Sequence, residues 1–273
     1  STLFPYTTLF RSTNRAFLSN EMMRNIIGQT KSGFNMRQIM DNNKILLINL
    51  SKGRTGELNA KLLGMMFVMK FQAAAMSRAD MPEAERKEFC LYVDEFQNFA
   101  TESFESILSE ARKYKLNLIV ANQFMTQLTE KIREAIIGNV GTIIAGRIGI
   151  TDAQILEKRF LPVFNAEDLT RLPNYQTITT VMINNTPSSP FSMNLLPPVG
   201  DSSDAVRDAI KRLSATRFGQ SRAMIDAEIA KRLSAGSQQS NQQTQSMPGA
   251  TMPEVPANHQ LSAPRLVDRK SVV

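Results

Sequence analysis

Four short apolar runs, set between stretches with helical spacing, constrain the fold of this chain more than any other feature. They are Lys44–Leu50 (KILLINL), Phe89–Val93 (FCLYV), Leu116–Ala121 (LNLIVA) and Gly141–Ala145 (GTIIA). Continuous runs of this length mark strands covered on both faces, because a strand with one wet face would alternate. Strands that alternate with helices are joined by crossovers, which makes the sheet parallel and places helices on both sides of it. A fifth strand, Thr177–Asn184, does alternate and leads into a turn over Asn185–Pro190. The expected fold class is α/β, a mainly parallel sheet flanked by helices.

The intervening segments read as helices by their 3.6-residue spacing. Residues 13–43 are helical and mixed, with Phe17, Met22, Ile26 and Ile27 as the apolar stripe. Glu57–Ser77 has almost no helix breakers, and its Met65, Met66, Phe67, Met69 and Phe71 are core-filling side chains rather than a cofactor box. A charged loop, Ala79–Lys87, follows. A helix from about Thr101 sets Phe104, Ile107, Leu108 and Ala111 on one face; others cover roughly Glu130–Ile137 and Asp152–Arg159. Beyond Pro198 the pattern changes to two amphipathic helices, Ser203–Leu213 and Ser221–Leu233, the second with Met224, Ile225, Ile229 and Leu233 on one stripe. The expected division is a sheet-bearing domain over 13–198, a helical extension over 199–235, and a Gln-, Ser- and Pro-rich disordered tail over 236–267.

The two ends stand apart. DRKSVV at Asp268–Val273 back-translates to GAT CGG AAG AGC GTC GTG, the reverse complement of a string inside a back-translation of Tyr6–Ser12, YTTLFRS. Residues 1–12 and 268–273 are therefore expected to be a short-read sequencing adapter translated in opposite directions, and are set aside from fold reasoning. The natural protein is expected to span roughly 13–267 and to be cut at both ends.

Composition narrows the chemistry. A chain of 273 residues with 42% hydrophobic content can bury one good core and a small appendage. The formal charge of +7 falls to +5 when Arg11, Arg269, Lys270 and Asp268 are set aside, which is compatible with a polyanionic partner without requiring one. A single cysteine, Cys90, excludes a disulfide framework and a cysteine zinc site. The single histidine, His259, lies in the polar tail, so metal or triad chemistry built on histidine is not expected. No apolar stretch is long enough to span a bilayer; the longest candidate, Leu62–Met76, is interrupted by Lys70.

The chemistry is expected at FCLYVDEFQNFA, Phe89–Ala100. A buried strand that opens at its carboxyl end into Asp94 and Glu95 places two acids where parallel sheets bind ligands. Phosphoryl transfer from a nucleotide uses such a pair: Asp94 to hold Mg²⁺ through water, Glu95 to orient the attacking water. The bland alternative is an acidic pair ending a strand in solvent. The next strand delivers the amide of Gln123 to the same sheet edge, where it senses a γ-phosphate or simply forms a turn with Asn122. Arg112, at the far end of the intervening helix, is either a cation favoured by the helix dipole or a guanidinium directed at a neighbouring subunit's phosphate. Arg147, at the end of the fourth run, is a second basic candidate for a phosphate or subunit-interface role.

Taken together, KILLINLSKGRTGELNAKLLG, FCLYVDEFQNFA, ILSEARKYKLNLIVANQ and GNVGTIIAGRIGITDAQIL, within Lys44–Asn184, resemble the motor domain of the coupling ATPases of type IV secretion and conjugation (TraD/TraG-like). They are also similar to the relatives of those ATPases, HerA and FtsK. The resemblance implies a partial RecA-like P-loop NTPase domain whose Walker B pair is Asp94 and Glu95. It implies a sensing role for Gln123 and an arginine-finger role, acting in trans, for Arg112. ATP and Mg²⁺ follow as cofactors, a homo-hexameric ring on DNA as the assembly, and secretion-channel or relaxosome proteins as partners. The location it implies is cytoplasmic, at the inner face of a bacterial cell membrane. One element of the pattern is missing: no G-x-x-x-x-G-K-[ST] occurs, and Gly28–Gly33 lacks its spacing. The expectation is a fragment of a DNA translocase, inactive alone because its phosphate loop lies upstream, with an exposed sheet edge where strands are absent. A non-catalytic ring-forming or adaptor module is the alternative, and a motor acting on protein substrates is a third reading. Lys52 and Arg54 are the candidates for DNA contact.

Overall fold

In a computed structural model of the chain, the described residues are 20–100, 103–200 and 202–245. Both adapter-like ends, and the tail beyond 245, lie outside them. The described residues fall into two units, one ending at Asp226 and one beginning at Ala227.

The first unit opens with two short helices, α1 (Glu21–Ile27) and α2 (Met36–Asp41). Each begins at an asparagine whose side chain accepts from a backbone N–H of the first turn: Asn20 from Met23 and Asn35 from Gln38, both at 3.1 Å. The apolar stripe expected in this region is rotated. Met23 is fully buried, while Met22 and Ile26 are exposed.

A one-turn helix, α3 (Lys52–Thr55), leads through Gly56 into α4 (Glu57–Met76). Gly56 has φ +80°, a conformation in which a side chain would be strained. The buried face of α4 comprises Ala60, Leu63, Gly64, Val68, Phe71, Ala74 and Ala75, which is helical spacing. Of the methionine-rich set, Phe71 lies in the core and Met69 is exposed.

Two strands, β1 (Phe89–Val93) and β2 (Leu116–Val120), pair in parallel from Phe89 opposite Leu116 to Val93 opposite Val120. The crossover between them is α5 (Ser103–Glu110), which buries Phe104 and Ile107 and is followed by buried Ala111, as its spacing requires. After β2 come α6 (Glu130–Asn139), β3 (Ile143–Ala145), α7 (Ile150–Leu156) and α8 (Ala166–Thr170). The chain then folds antiparallel. Strand β4 (Gln176–Thr180) is central between β3 and a strand not anticipated from the sequence, and four consecutive β4 residues, Thr177–Thr180, are buried. A small hairpin, β5 (Met182–Ile183) with β6 (Thr186–Pro187), precedes that strand, β7 (Phe191–Asn194). The hairpin turns at Asn184 and Asn185, both with positive φ, the geometry of a two-residue turn that asparagine tolerates. Parallel pairing thus holds at β1–β2, and the β3–β4–β7 sheet is antiparallel.

The run Lys44–Leu50 is not a strand. It has no strand partner among the described residues, with Ile45 89% and Leu47 79% exposed, while Leu46 packs against the core. An apolar run becomes a doubly covered strand only when neighbours supply both the backbone bonds and the covering layer. Strand β1 likewise bonds only to β2 among the described strands, and Tyr92 stands exposed at 74%.

The last helices are α9 (Asp204–Phe218), capped by Ser203, and α10 (Arg222–Gln245). In α10, Ile225 is buried and Met224 and Leu233 are exposed. The part of α10 from Ala227 belongs to the second unit. This helix runs to Gln245, past the expected end of the helical extension at 235. No proline interrupts the chain before Pro248.

Candidate functional site

The turn after β1 is held rigidly. Phe96 is fully buried, meets the ring of Phe104 edge-on at 4.6 Å, and donates its N–H to the carbonyl of Ala121 beyond β2 at 2.9 Å. The N–H of Ala121 returns a bond to the carbonyl of Val93 at 2.9 Å. These bonds fix the ends of both strands side by side.

On this frame Asp94 is exposed and Glu95 half-buried. Asp94 Oδ1 accepts from the N–H of Glu95 at 2.9 Å. Glu95 has φ 49°, a left-handed conformation uncommon for a residue with a side chain. Its carboxylate is gripped from two sides. Gln123 Nε2 donates to Oε1 at 2.8 Å and Gln97 Nε2 donates to Oε2 at 2.7 Å. The carbonyl of Glu95 accepts both the N–H and the side-chain amide of Asn98, at 2.9 and 3.0 Å. Three of the expected site residues, Asp94, Glu95 and Gln123, therefore share one strand-end cluster.

Beside it lies a cavity of about 660 Å³. Phe67, Val68 and Phe71 of α4 and Leu91 and Val93 of β1 give it apolar walls, and Lys52, Glu57, Asp94 and Glu95 stand at its polar side. A pocket with apolar walls and few convergent polar groups is a ligand-binding form. Lys52 Nζ donates to Asn98 Oδ1 at 3.1 Å, which ties α3 to the Glu95 turn; Arg54 is exposed.

The two other expected residues sit elsewhere. Arg112 Nη2 donates to Asn185 Oδ1 at the hairpin tip at 2.7 Å, and Arg147 Nη2 donates to Asn174 Oδ1 at 3.2 Å. Neither lines the cavity, and neither bonds to Asp94 or Glu95. Both are surface hydrogen bonds that a competing anion can replace.

Two residues were not singled out from the sequence as site residues. Gln97 is the inner donor to Glu95. Asp152, 4% exposed at the start of α7, accepts the N–H groups of Met125 and Thr126 at 3.1 and 3.2 Å, just after Gln123. A buried carboxylate in the first turn of a helix is a local signal for Asp152. Gln97 carries none, because its role depends on the left-handed turn at Glu95.

Among the described residues, no group of three or more His, Cys, Asp or Glu side chains could hold a metal. A divalent ion here would rest on Asp94 with water and ligand oxygens. That donor set suits Mg²⁺, which keeps most of its waters and takes one or two carboxylates with phosphates.

Residues 88–159 match the family model described as the TraM recognition site of TraD and TraG. In structure the chain is similar to the bacterial conjugative coupling protein TrwB in an unbound form. That likeness has a TM-score of 0.52 at 15% identity and covers 71% of this chain and 51% of TrwB. A TrwB structure in complex with ADP and Mg²⁺ aligns with a TM-score of 0.48 at 17% identity, covering 60% of this chain and 43% of that one. The genome packaging NTPase of Sulfolobus turreted icosahedral virus 2, in complex with ATP-gammaS, aligns with a TM-score of 0.40 at 14% identity, covering 61% and 74%. Comparison with curated proteins finds no match. The chain spans about half the length of the TrwB structure. Residues 88–159 are thus similar to the TraM recognition site of TraD and TraG, and the chain shares the fold of the TrwB structure.

Proposed function

We propose that the chain is a fragment of an ATP-driven DNA translocase of the conjugative or type IV secretion coupling type. The observation that carries this reading is the strand-end cluster: Glu95, beside exposed Asp94, has its carboxylate bonded by Gln123 across β1 and β2. An acid held by an amide that can exchange it for a phosphate oxygen suits hydrolysis that responds to the nucleotide.

In this reading Asp94 would help to hold Mg²⁺, which when bound would supply positive charge against the phosphates. Glu95 accepts a hydrogen bond from the attacking water and aligns it with the γ-phosphate. Gln123 trades its bond with Glu95 for one with that phosphate. Arg112 leaves Asn185 for the nucleotide of a neighbouring subunit in a homo-hexamer, and Arg147 supplies a second cation at the subunit interface. The phosphate-binding loop comes from sequence upstream of this chain, so residues 13–198 act only within the longer protein. DNA is the substrate moved, with Lys52 and Arg54 among its contacts, and relaxosome or secretion-channel proteins are the partners. The place of action is the cytoplasm, at the inner face of a bacterial membrane; no helix of the described residues is long and apolar enough to cross one.

One observation favours a second reading. The chain contains no G-x-x-x-x-G-K-[ST], so a non-catalytic ring or adaptor module would also need only what is here. Titration of duplex and single-stranded DNA against the longer protein, at several salt concentrations, separates the readings. The translocase binds DNA with an affinity that falls steeply with salt as counterions are released, and DNA raises its ATP turnover. DNA binding that is absent at low salt, or turnover indifferent to DNA, excludes it.

A further inference from the structure

We infer that Gln97 is the fixed positioning residue of Glu95, the partner that keeps the carboxylate aimed when Gln123 lets go. The inference rests on the hydrolytic reading of Glu95 and deepens it. Both carboxylate oxygens are occupied by amide donors, Oε2 by Gln97 at 2.7 Å and Oε1 by Gln123 at 2.8 Å. The two donors are not equivalent. Gln123 is exposed on the loop after β2, whereas Gln97 is half-buried inside the turn Phe96–Asn98. That turn is pinned by the buried ring of Phe96, by its N–H to Ala121, and by the N–H of Phe99 to the Phe96 carbonyl at 2.9 Å. An exposed amide on a loop can swing to a phosphate; a half-buried one inside a pinned turn cannot follow it.

The orientation of the Gln97 amide has a physical cause. An ionised carboxylate only accepts, so the amide must present its NH₂ group to Glu95. Doing so leaves Gln97 Oε1 buried without a hydrogen-bond partner. A buried unpartnered oxygen is unfavourable and uncommon, and here the charge-assisted bond to Glu95 offsets it. Gln97 thus sacrifices one hydrogen bond to hold one acid. When Gln123 moves to the nucleotide, Gln97 retains Oε2 and leaves Oε1 free to accept from water.

The test has two arms. In this 273-residue chain, ¹⁵N-resolved side-chain amide signals report the clamp without any need for activity. Glu95→Gln is expected to shift the Gln97 amide and to speed its hydrogen exchange. A Gln97 amide that exchanges as freely as an exposed glutamine, and is unmoved by Glu95→Gln, overturns the proposal. In the longer protein, Gln97→Met keeps the side-chain volume and removes the donor. Turnover is expected to drop about tenfold to a hundredfold, the usual loss for an outer-shell partner, with KM for ATP changed less than about threefold. Unchanged turnover in Gln97→Met, alongside abolished turnover in Glu95→Gln, refutes the role of Gln97 and leaves the hydrolytic reading intact. Full turnover in Glu95→Gln refutes the hydrolytic reading itself. If Gln97→Met does not fold, the amide signals of the unsubstituted chain still decide.

Discussion

At the scale of single residues, the polar groups that organise the chain differ in legibility. That Asp94, Glu95 and Gln123 lie together was readable because each follows an apolar run, and β1 and β2 pair in parallel with their ends side by side. Gln97 was not, since nothing in FCLYVDEFQNFA says that the backbone turns left-handed at Glu95. Arg78 was missed for a related reason. It is fully buried, with Nε donating to Asp41 Oδ1 and Nη1 to the carbonyls of Lys87 and Tyr114, all at 2.9 Å. Burial pushes its pKa down, an effect opposed by Asp41, while Arg37 is pushed up by Asp80 and Asp41. Both remain cations at any working pH, so neither makes stability pH-dependent near neutrality. Arg78→Met should cost about 3 kcal/mol, because it strands two carbonyls and leaves Asp41 short of a partner. Urea unfolding of the 273-residue chain measures this, and a loss under about 1 kcal/mol would show the network to be dispensable.

At the scale of elements, the helices were easiest to anticipate because their cores follow a simple period. Phe104, Ile107 and Ala111 bury as spaced, and β1 and β2 pair as two apolar runs joined by a crossover should. The antiparallel half was harder. The strand expected over Thr177–Asn184 is divided into β4 and β5, four consecutive β4 residues are buried although the sequence alternates, and β7 begins just after Pro190, where strand propensity is weak. One helix bears directly on the site. Gly64 of α4 lies against the ring of Phe99, and a Cβ there would run into that ring. Gly64→Ala in an open helix would gain about 1 kcal/mol from propensity alone. Here the clash should win, displacing Phe99 and with it the turn that holds Glu95 and Gln97. The expected result is net destabilisation in urea together with a shifted Gln97 side-chain amide signal. A stabilised variant with an unmoved amide would show that the turn does not depend on α4.

At the scale of the whole molecule, the chain shows where its fold depends on neighbours. Lys44–Leu50 carries the composition of a buried strand but stands unpaired with Ile45 and Leu47 exposed. The apolar run was legible; its cover was not, because burial belongs to the assembly of strands and not to one of them. Backbone N–H groups across 45–50 should exchange with deuterium at nearly unprotected rates, while those of β1 bonded to β2 exchange slowly. Comparable protection in both segments would mean that the run is already paired in solution. The central claim concerns the carboxyl end of β1, where Asp94, Glu95 and Gln123 meet. The measurement that bears on it most directly is steady-state ATP hydrolysis by the longer protein, with and without DNA, comparing the natural sequence with Glu95→Gln. The account predicts DNA-stimulated turnover that falls by about two to four orders of magnitude in the variant, the range lost with a positioned acid–base group, while nucleotide binding persists. Turnover that survives the substitution would contradict it.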